Sequence, residues 1–203
     1  MSMRVILATI ILLIISTSYV LAENYKGDFN LLKPAPPKNS LSKIIFDEYL
    51  NFTCPHCNNF RKASTGLKEK YKNILHINYI PILFKNQSDY PLRLFFIAES
   101  KGKTEEIKTL LFETAFDHNV NIYDPTVVNY LARATGLAEV YKSEANADWV
   151  SQRVMVAQMK AQEVGVVATP TVVLAETFFV TPKQGMNTFV ANIENLIRQL
   201  KVK

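Results

Sequence analysis

The sequence predicts an α/β fold interrupted by an all-helical insertion, on three observations. Short runs rich in β-branched and aromatic residues lie at 43–51 and 74–84, and two more follow at 166–174 and 176–180. Between these two pairs, residues 88–164 show only helical spacing and helix punctuation. The only two cysteines, Cys54 and Cys57, stand three residues apart where the first β run gives way to a helical pattern.

Each element has a local reason. Residues 23–42 include Lys33-Pro34-Ala35-Pro36-Pro37-Lys38, whose prolines favour an extended arm, with a short edge strand near 29–32. In 43–51, Ile44, Ile45, Phe46, Tyr49 and Leu50 favour a buried strand that Asp47 and Glu48 interrupt. From Asn58 to Tyr71 the pattern is helical, with Phe60, Ala63 and Leu67 on one face. Pro81 in the next strand removes a ladder donor, which predicts an edge position or a bulge. In the insertion, Pro91 opens a helix bearing Leu92, Phe95 and Phe96. Thr104 is the expected N-cap of a second, with Glu105 and Glu106 in its first turn and a stripe of Ile107, Leu110, Leu111 and Phe116. Asp124-Pro125 starts a third helix, which Gly136 stops. A short helix near 137–143 and a longer one near 147–164 follow, the latter ending at Gly165. The two late strands make a hairpin, and a last helix over 184–202 carries Phe189, Val190, Ile193, Leu196, Ile197 and Leu200.

The length, 203 residues, suits one domain with an insertion. Hydrophobic residues make up 48% and charged residues 20%, which supports a packed core and excludes a disordered chain. The net charge is +5, but Lys and Arg are scattered with no run of five or more. That is a solvated basic surface, and no nucleic-acid partner is expected. Arg4, the apolar stretch from Val5 to Ile15 and the small-residue ending Val20-Leu21-Ala22 read as a secretory signal cleaved after Ala22. The stretch is close to the roughly 17–18 residues that span a bilayer, so an uncleaved anchor is the alternative. The expected organisation is a signal at 1–22, an arm at 23–42, a first α/β part at 43–87, the helical insertion at 88–164 and a second α/β part at 165–203.

Outside the cytosol a thiol pair can persist as a disulfide. Cysteines three apart close too short a loop to stabilise much, so the pair is placed for chemistry. If the helix starts at Cys54, Pro55 takes the first helical position and Cys54 sits at the positive end of the dipole, where a thiolate is stabilised. Cys57, at i+3, can reach its sulfur. His56, protonated or donating a hydrogen bond, stabilises the anion further. A stabilised thiolate is a good leaving group, so the disulfide is oxidising: a substrate thiolate attacks Cys54 and a second substrate thiol releases the product. No metal or other cofactor is expected. A zinc site needs about four ligands, and only His56, His76 and His118 could join the cysteines. A c-type haem needs His where Asn58 stands. An inert buried pair is the remaining alternative. Asn51-Phe52-Thr53 and Asn86-Gln87-Ser88 match the glycosylation triplet, but a glycan at Asn51 would crowd the cysteines.

An exported chain with Cys54-Pro55-His56-Cys57 at a strand-to-helix junction, a helical insertion, and Thr169-Pro170 before a hairpin resembles the DsbA family of thiol–disulfide oxidoreductases. The resemblance covers essentially all of the chain after residue 22 and implies a thioredoxin fold with an inserted all-helical domain. It implies that Cys54 is the exposed nucleophile and Cys57 the resolving cysteine. It implies that Pro170 is a cis-proline facing the pair, and that the backbone of Thr169 pairs with an extended substrate segment; otherwise Pro170 merely starts a strand. It implies that Glu48, six residues before the nucleophile, is buried and relays protons to Cys57 or tunes it; a solvent-facing Glu48 is the alternative. Two departures stand out. Ala168 replaces a glycine common in relatives, and Thr169 stands where familiar DsbA oxidases often carry Val and disulfide isomerases Thr. The implied function is a monomeric periplasmic dithiol oxidase acting on unfolded or folding exported proteins with free thiols, reoxidised by a DsbB-like quinone-linked membrane partner. The alternatives are a disulfide isomerase or reductase kept reduced, and a non-catalytic peptide-binding or chaperone module.

Overall fold

The computed structural model describes residues 25–36 and 38–200, so the expected signal at 1–22 lies outside the described residues. Strands β1 (Asn30–Leu31), β2 (Ile44–Leu50), β3 (Leu75–Pro81), β4 (Thr171–Leu174) and β5 (Phe178–Val180) form one sheet in the order β1-β5-β4-β2-β3. β2 and β3 run parallel, and the other neighbours are antiparallel. A parallel pair needs a crossover, and α1 (Pro55–Ala63) with α2 (Thr65–Tyr71) supplies it. Five helices lie between β3 and β4: α3 (Tyr90–Ser100), α4 (Thr104–Phe116), α5 (Pro125–Ala134), α6 (Ala138–Glu144) and α7 (Asp148–Glu163). Helix α8 (Met186–Leu200) closes the described chain. The α/β sheet with its helical insertion is the expected architecture. Among the described residues no helix is long and apolar enough to cross a membrane.

Strand alternation divides the sheet between two cores. Phe46, Val172, Leu174, Phe178 and Val180 pack with Phe60 and with Phe189, Ile193, Leu196 and Ile197 of α8. Tyr49 and Val173 point the other way and join a core built from the insertion, including Leu92, Phe95, Leu111, Phe112, Val128 and Val150. At the C-terminal end of β2 the insertion core also takes in Leu50, Phe52 and Cys57. The insertion therefore shares its core with the sheet at the end where the cysteines sit.

Several elements depart from the sequence expectations for local physical reasons. The helix expected to run to Tyr71 breaks at Ser64, which is fully buried. Thr65 turns its hydroxyl back onto the carbonyl of Arg61, 3.0 Å away, a bond that bends helices, and Gly66 follows. Lys103, not Thr104, is the N-cap of α4. Asp124 caps α5 as expected, accepting from Thr126 N at 2.7 Å. β3 is an edge strand and ends on Pro81, in line with the missing donor. The stretch expected as strand from 166 pairs only from Thr171 onward, and residues 165–168 form a loop. The hairpin turn uses Ala175 and Glu176 at φ 51° and 53°, closed by Thr177 N to Leu174 O at 3.0 Å. Left-handed φ at two successive residues, even without glycine, turns the chain within the three residues between the paired Leu174 and Phe178.

Candidate active site

The site begins where β2 runs out. Phe52 is fully buried between Phe95 and Phe112, with ring centroids 5.7 and 5.4 Å away, and so ties the turn before the cysteines to the insertion. Asn51, also buried, donates to Ile82 O at 2.8 Å and Gln87 Oε1 at 2.7 Å, and accepts from Thr53 N and Oγ1 at 3.0 and 2.9 Å. Its carboxamide is thus engaged inside the protein. The Thr53 hydroxyl lies 3.0 Å from that of Tyr123, and Gln87 Nε2 donates to it at 3.2 Å. Asn51, Gln87 and Tyr123 hold the active-site turn from three separate segments. From the sequence, Asn51 and Gln87 were visible only within glycosylation triplets.

Cys54 is the N-cap of α1, with extended φ −84° and ψ 117°, and Pro55 lies in the first turn. Its carbonyl accepts from Cys57 N at 3.0 Å and Asn58 N at 3.1 Å, which opens the helix. Arg61 and Lys62 in the last turn complement the negative end. Cys54 is half-buried and Cys57 fully buried, and both are free thiols in this structure. The Thr169–Pro170 peptide is cis. Its loop reaches the nucleophile: Cys54 Sγ donates to Thr169 O across 3.2 Å, joining residues 115 apart in sequence.

The two sulfurs are treated oppositely. Cys54 is pulled down from 9.0 to about 5. The chief cause is a hydrogen bond from the Cys57 thiol; partial burial opposes it, and the Thr169 hydroxyl and the backbone N–H groups of Cys57 and His56 add to the lowering. Cys57 is pushed far up by burial first, then by donating to Cys54 and by repulsion from its charge. The Asn51 N–H, 3.5 Å from Cys57 Sγ, only partly offsets this. The Thr169 side chain favours the anionic form of both sulfurs, yet its hydroxyl is buried with no hydrogen-bond partner among the described residues. The Cys54 thiol uses the Thr169 carbonyl as its acceptor.

His56 and Pro55 are both exposed on the first turn, and the contact that His56 makes with the Cys54 sulfur is through its backbone N–H. Glu48 is 2% exposed, which rules out the solvent-facing alternative. It pairs with Lys68 of α2 at 2.5 Å. Around that pair lies a buried polar cluster that no sequence pattern revealed. Lys108 of α4 stands 3.4 Å from the centroid of the Tyr79 ring and bonds Glu105 at 2.6 Å, and Lys68 sits 4.9 Å from the same ring. Burial first, and then repulsion from Lys68, lower Lys108 to about 8, against the pull of Glu48 and Glu105. Among the described residues, no three His, Cys, Asp or Glu side chains are grouped to hold a metal.

The signature of the family described as Thioredoxin matches residues 39–195. The chain belongs to the thioredoxin family. Its fold is that of solved DsbA oxidoreductases. It is similar to oxidoreductase DsbA from Xylella fastidiosa at 21% identity, with 84% of this chain and 93% of that one covered and a TM-score of 0.70. DsbA from Pseudomonas aeruginosa is 20% identical over 84% of this chain and 91% of that one, also with a TM-score of 0.70. The disulfide oxidoreductase DsbA from Proteus mirabilis is 16% identical, covering 87% and 96%, with a TM-score of 0.66. At such identities the likeness speaks for the fold. No curated protein sequence matches. Membership of the thioredoxin family, with a dithiol of this geometry at a helix start, makes the chain a thiol–disulfide oxidoreductase.

Proposed function

We propose that this chain is an exported dithiol oxidase that hands the Cys54–Cys57 disulfide to folding proteins. The observation that carries this reading is the asymmetry of the pair: the surroundings of Cys54 favour its thiolate, and those of Cys57 favour its protonated form. A sulfur stable as an anion leaves readily, so the disulfide is easily given away. In the oxidised form a client thiolate attacks Cys54 Sγ. The S–S bond breaks, and Cys57 leaves with the electron pair and takes up a proton. A second client thiolate then attacks the client sulfur of the mixed disulfide, and Cys54 leaves as a thiolate. The client loses two electrons and the chain gains them as a dithiol. The client proton not taken by Cys57 goes to solvent.

Thr169 and Pro170 are the substrate-side residues in this scheme. The client backbone lies along Thr169, whose carbonyl already faces Cys54. Pro55 sets the helix start, the His56 imidazole adds a donor at the mouth, and Glu48 relays protons to Cys57 or tunes it. The chain acts as a monomer in the periplasm. A DsbB-like membrane partner linked to quinone takes up the electrons. The test is oxidative refolding of a reduced disulfide protein with wild type and with Cys54→Ser. Wild type should accelerate refolding and the variant should not; equal rates would remove the pair as the catalyst. Thiol trapping in the native compartment should find the pair oxidised, whereas a mostly reduced pair would favour an isomerase.

A further inference from the structure

Asn51 meets both cysteines through its backbone. Its carbonyl accepts from Cys54 N at 3.0 Å, and its N–H donates to Cys57 Sγ at 3.5 Å. We propose that this N–H stabilises the charge that gathers on Cys57 Sγ as the disulfide breaks, and that Gln87, by gripping the Asn51 side chain, is the residue that positions it. The proposal rests on the reading that the client attacks Cys54 and Cys57 leaves, and adds to it the group that receives the leaving sulfur.

The step itself sets the need. A client thiolate forms a bond to Cys54 Sγ, the bond between Cys54 and Cys57 breaks, and its electron pair goes to Cys57 Sγ. That sulfur is fully buried, where an anion is costly without a donor. A donor aimed there beforehand lowers the barrier without having to reorganise during the reaction. The Asn51 N–H is available because β2 ends one residue earlier. Its pairing with β3 stops at Leu50, whose carbonyl takes Ile82 N at 2.8 Å. The direction of the N–H is held by the side chain of the same residue. The Asn51 amino group donates to both Ile82 O and Gln87 Oε1, and its oxygen accepts from both Thr53 N and Thr53 Oγ1. Turning the residue away from Cys57 would break these bonds together. Gln87 is the centre of the grip. Its Oε1 accepts from Asn51 Nδ2 at 2.7 Å and from Phe84 N at 2.8 Å, and its Nε2 donates to Thr53 Oγ1 at 3.2 Å. Gln87 N donates to Phe84 O at 3.2 Å, closing a turn in which Asn86 holds a left-handed φ of 69°. Gln87 acts through Asn51 and Thr53 and so is a positioning residue, while the Asn51 N–H touches a reacting atom.

The test separates the step in which Cys57 leaves from one in which it takes no part. Oxidised full-length protein is reduced by dithiothreitol, whose second thiol closes its own ring quickly, so that attack on the protein disulfide sets the rate. Gln87→Met keeps the length of the side chain and removes its hydrogen bonds. It should slow this reduction about tenfold, as expected for losing one hydrogen bond to a developing charge. In the Cys57→Ala background, glutathione is loaded onto Cys54 as a mixed disulfide and then removed by dithiothreitol. There Cys54 is the leaving sulfur, and Gln87→Met should leave the rate unchanged. Equal slowing of both reactions would mean a turn loosened as a whole and overturns the proposal, as does oxidised Gln87→Met protein reduced as fast as wild type. Thr53→Val removes one bond to Asn51 Oδ1 and one from Gln87, and should slow the first reaction alone, by less. Should Gln87→Met fail to fold, this variant decides the question by the same comparison. Glutathione disulfide should load Cys57→Ala and leave Cys54→Ala unloaded. The reverse would make Cys57 the attacked sulfur and overturn the underlying reading, and the proposal with it.

Discussion

Cys57→Ala removes the thiol that is the chief cause of the lowered Cys54 pKa, while leaving the backbone N–H groups of α1 in place. A hydrogen bond to a charged acceptor is worth about 1.5–3 kcal/mol. One pKa unit corresponds to about 1.36 kcal/mol. Cys54 should therefore rise by about one to two units, from about 5 to roughly 6–7. It should not return to its ordinary value, because Thr169 and the helix start still favour the anion. Thiolate absorbance against pH reads this directly, since the variant holds a single cysteine; the rate of alkylation at each pH is an independent check. A midpoint still near 5 would transfer the effect to the backbone and refute the role of Cys57 as donor. A midpoint near 9 would mean that the helix start does nothing. The same titration governs stability. Cys54 in the folded dithiol lies below its unfolded value, so its contribution is complete above the unfolded pKa and is lost as pH falls through about 5. Cys54 is half-exposed, so after discounting for solvent screening the contribution at neutral pH is about 1–2 kcal/mol. The disulfide form has no such titration. Unfolding free energies of the two forms should therefore shift against each other between about pH 8 and 5, with the dithiol losing ground; a constant difference would contradict the assignment.

Thr169→Val should raise the Cys54 midpoint by less than Cys57→Ala does, without destabilising the oxidised protein, because the lost hydroxyl is buried with no hydrogen-bond partner among the described residues. An unshifted thiolate titration would show that the hydroxyl does not reach the sulfur. Lys108 in the folded chain lies at about 8, below the ordinary 10.5, so the unfolded chain binds more protons between those values and stability should rise with pH there. Denaturant unfolding of the oxidised protein from pH 8 to 9.5 should show that rise, and Lys108→Met should flatten it; parallel curves would mean that Lys108 is not the titrating group. Phe52→Ala opens a hole between Phe95 and Phe112 and should cost about 3–5 kcal/mol in urea unfolding. A loss below about 1 kcal/mol would show that the active-site turn does not depend on the insertion core.

What was legible in the sequence is what neighbours in the chain dictate. Pro55 beside Cys54 announced a helix start, and Asp124 before Pro125 announced another, because caps and prolines act within a few residues of themselves. Pro81 announced an edge strand for the same reason, through its own missing donor. The α/β class and the helical insertion followed from periodicity, which is also local. The break at Ser64 escaped because the helical pattern continues across it, and the bend comes from one hydroxyl turned back on a carbonyl. The network of Asn51, Gln87 and Tyr123 escaped because its members are ordinary polar residues until the fold brings them together.

By itself, then, the sequence determined that a cysteine pair sits at a strand-to-helix junction, with a proline in the first turn and one cysteine a turn beyond the other. What makes the two sulfurs differ so far comes from tertiary contacts. Cys57 is buried because β2 and the insertion close over it, and the Thr169 carbonyl meets Cys54 because β4 lies beside β2. The fate of Glu48 was decided in the same way, by Lys68 from α2 and by the position of Lys108 on α4. Burial and charge pairing depend on which distant segments meet, and local pattern does not encode that meeting. They are also what separates a thiolate from a protected thiol, so the chemistry of this pair belongs to the fold as much as to the motif.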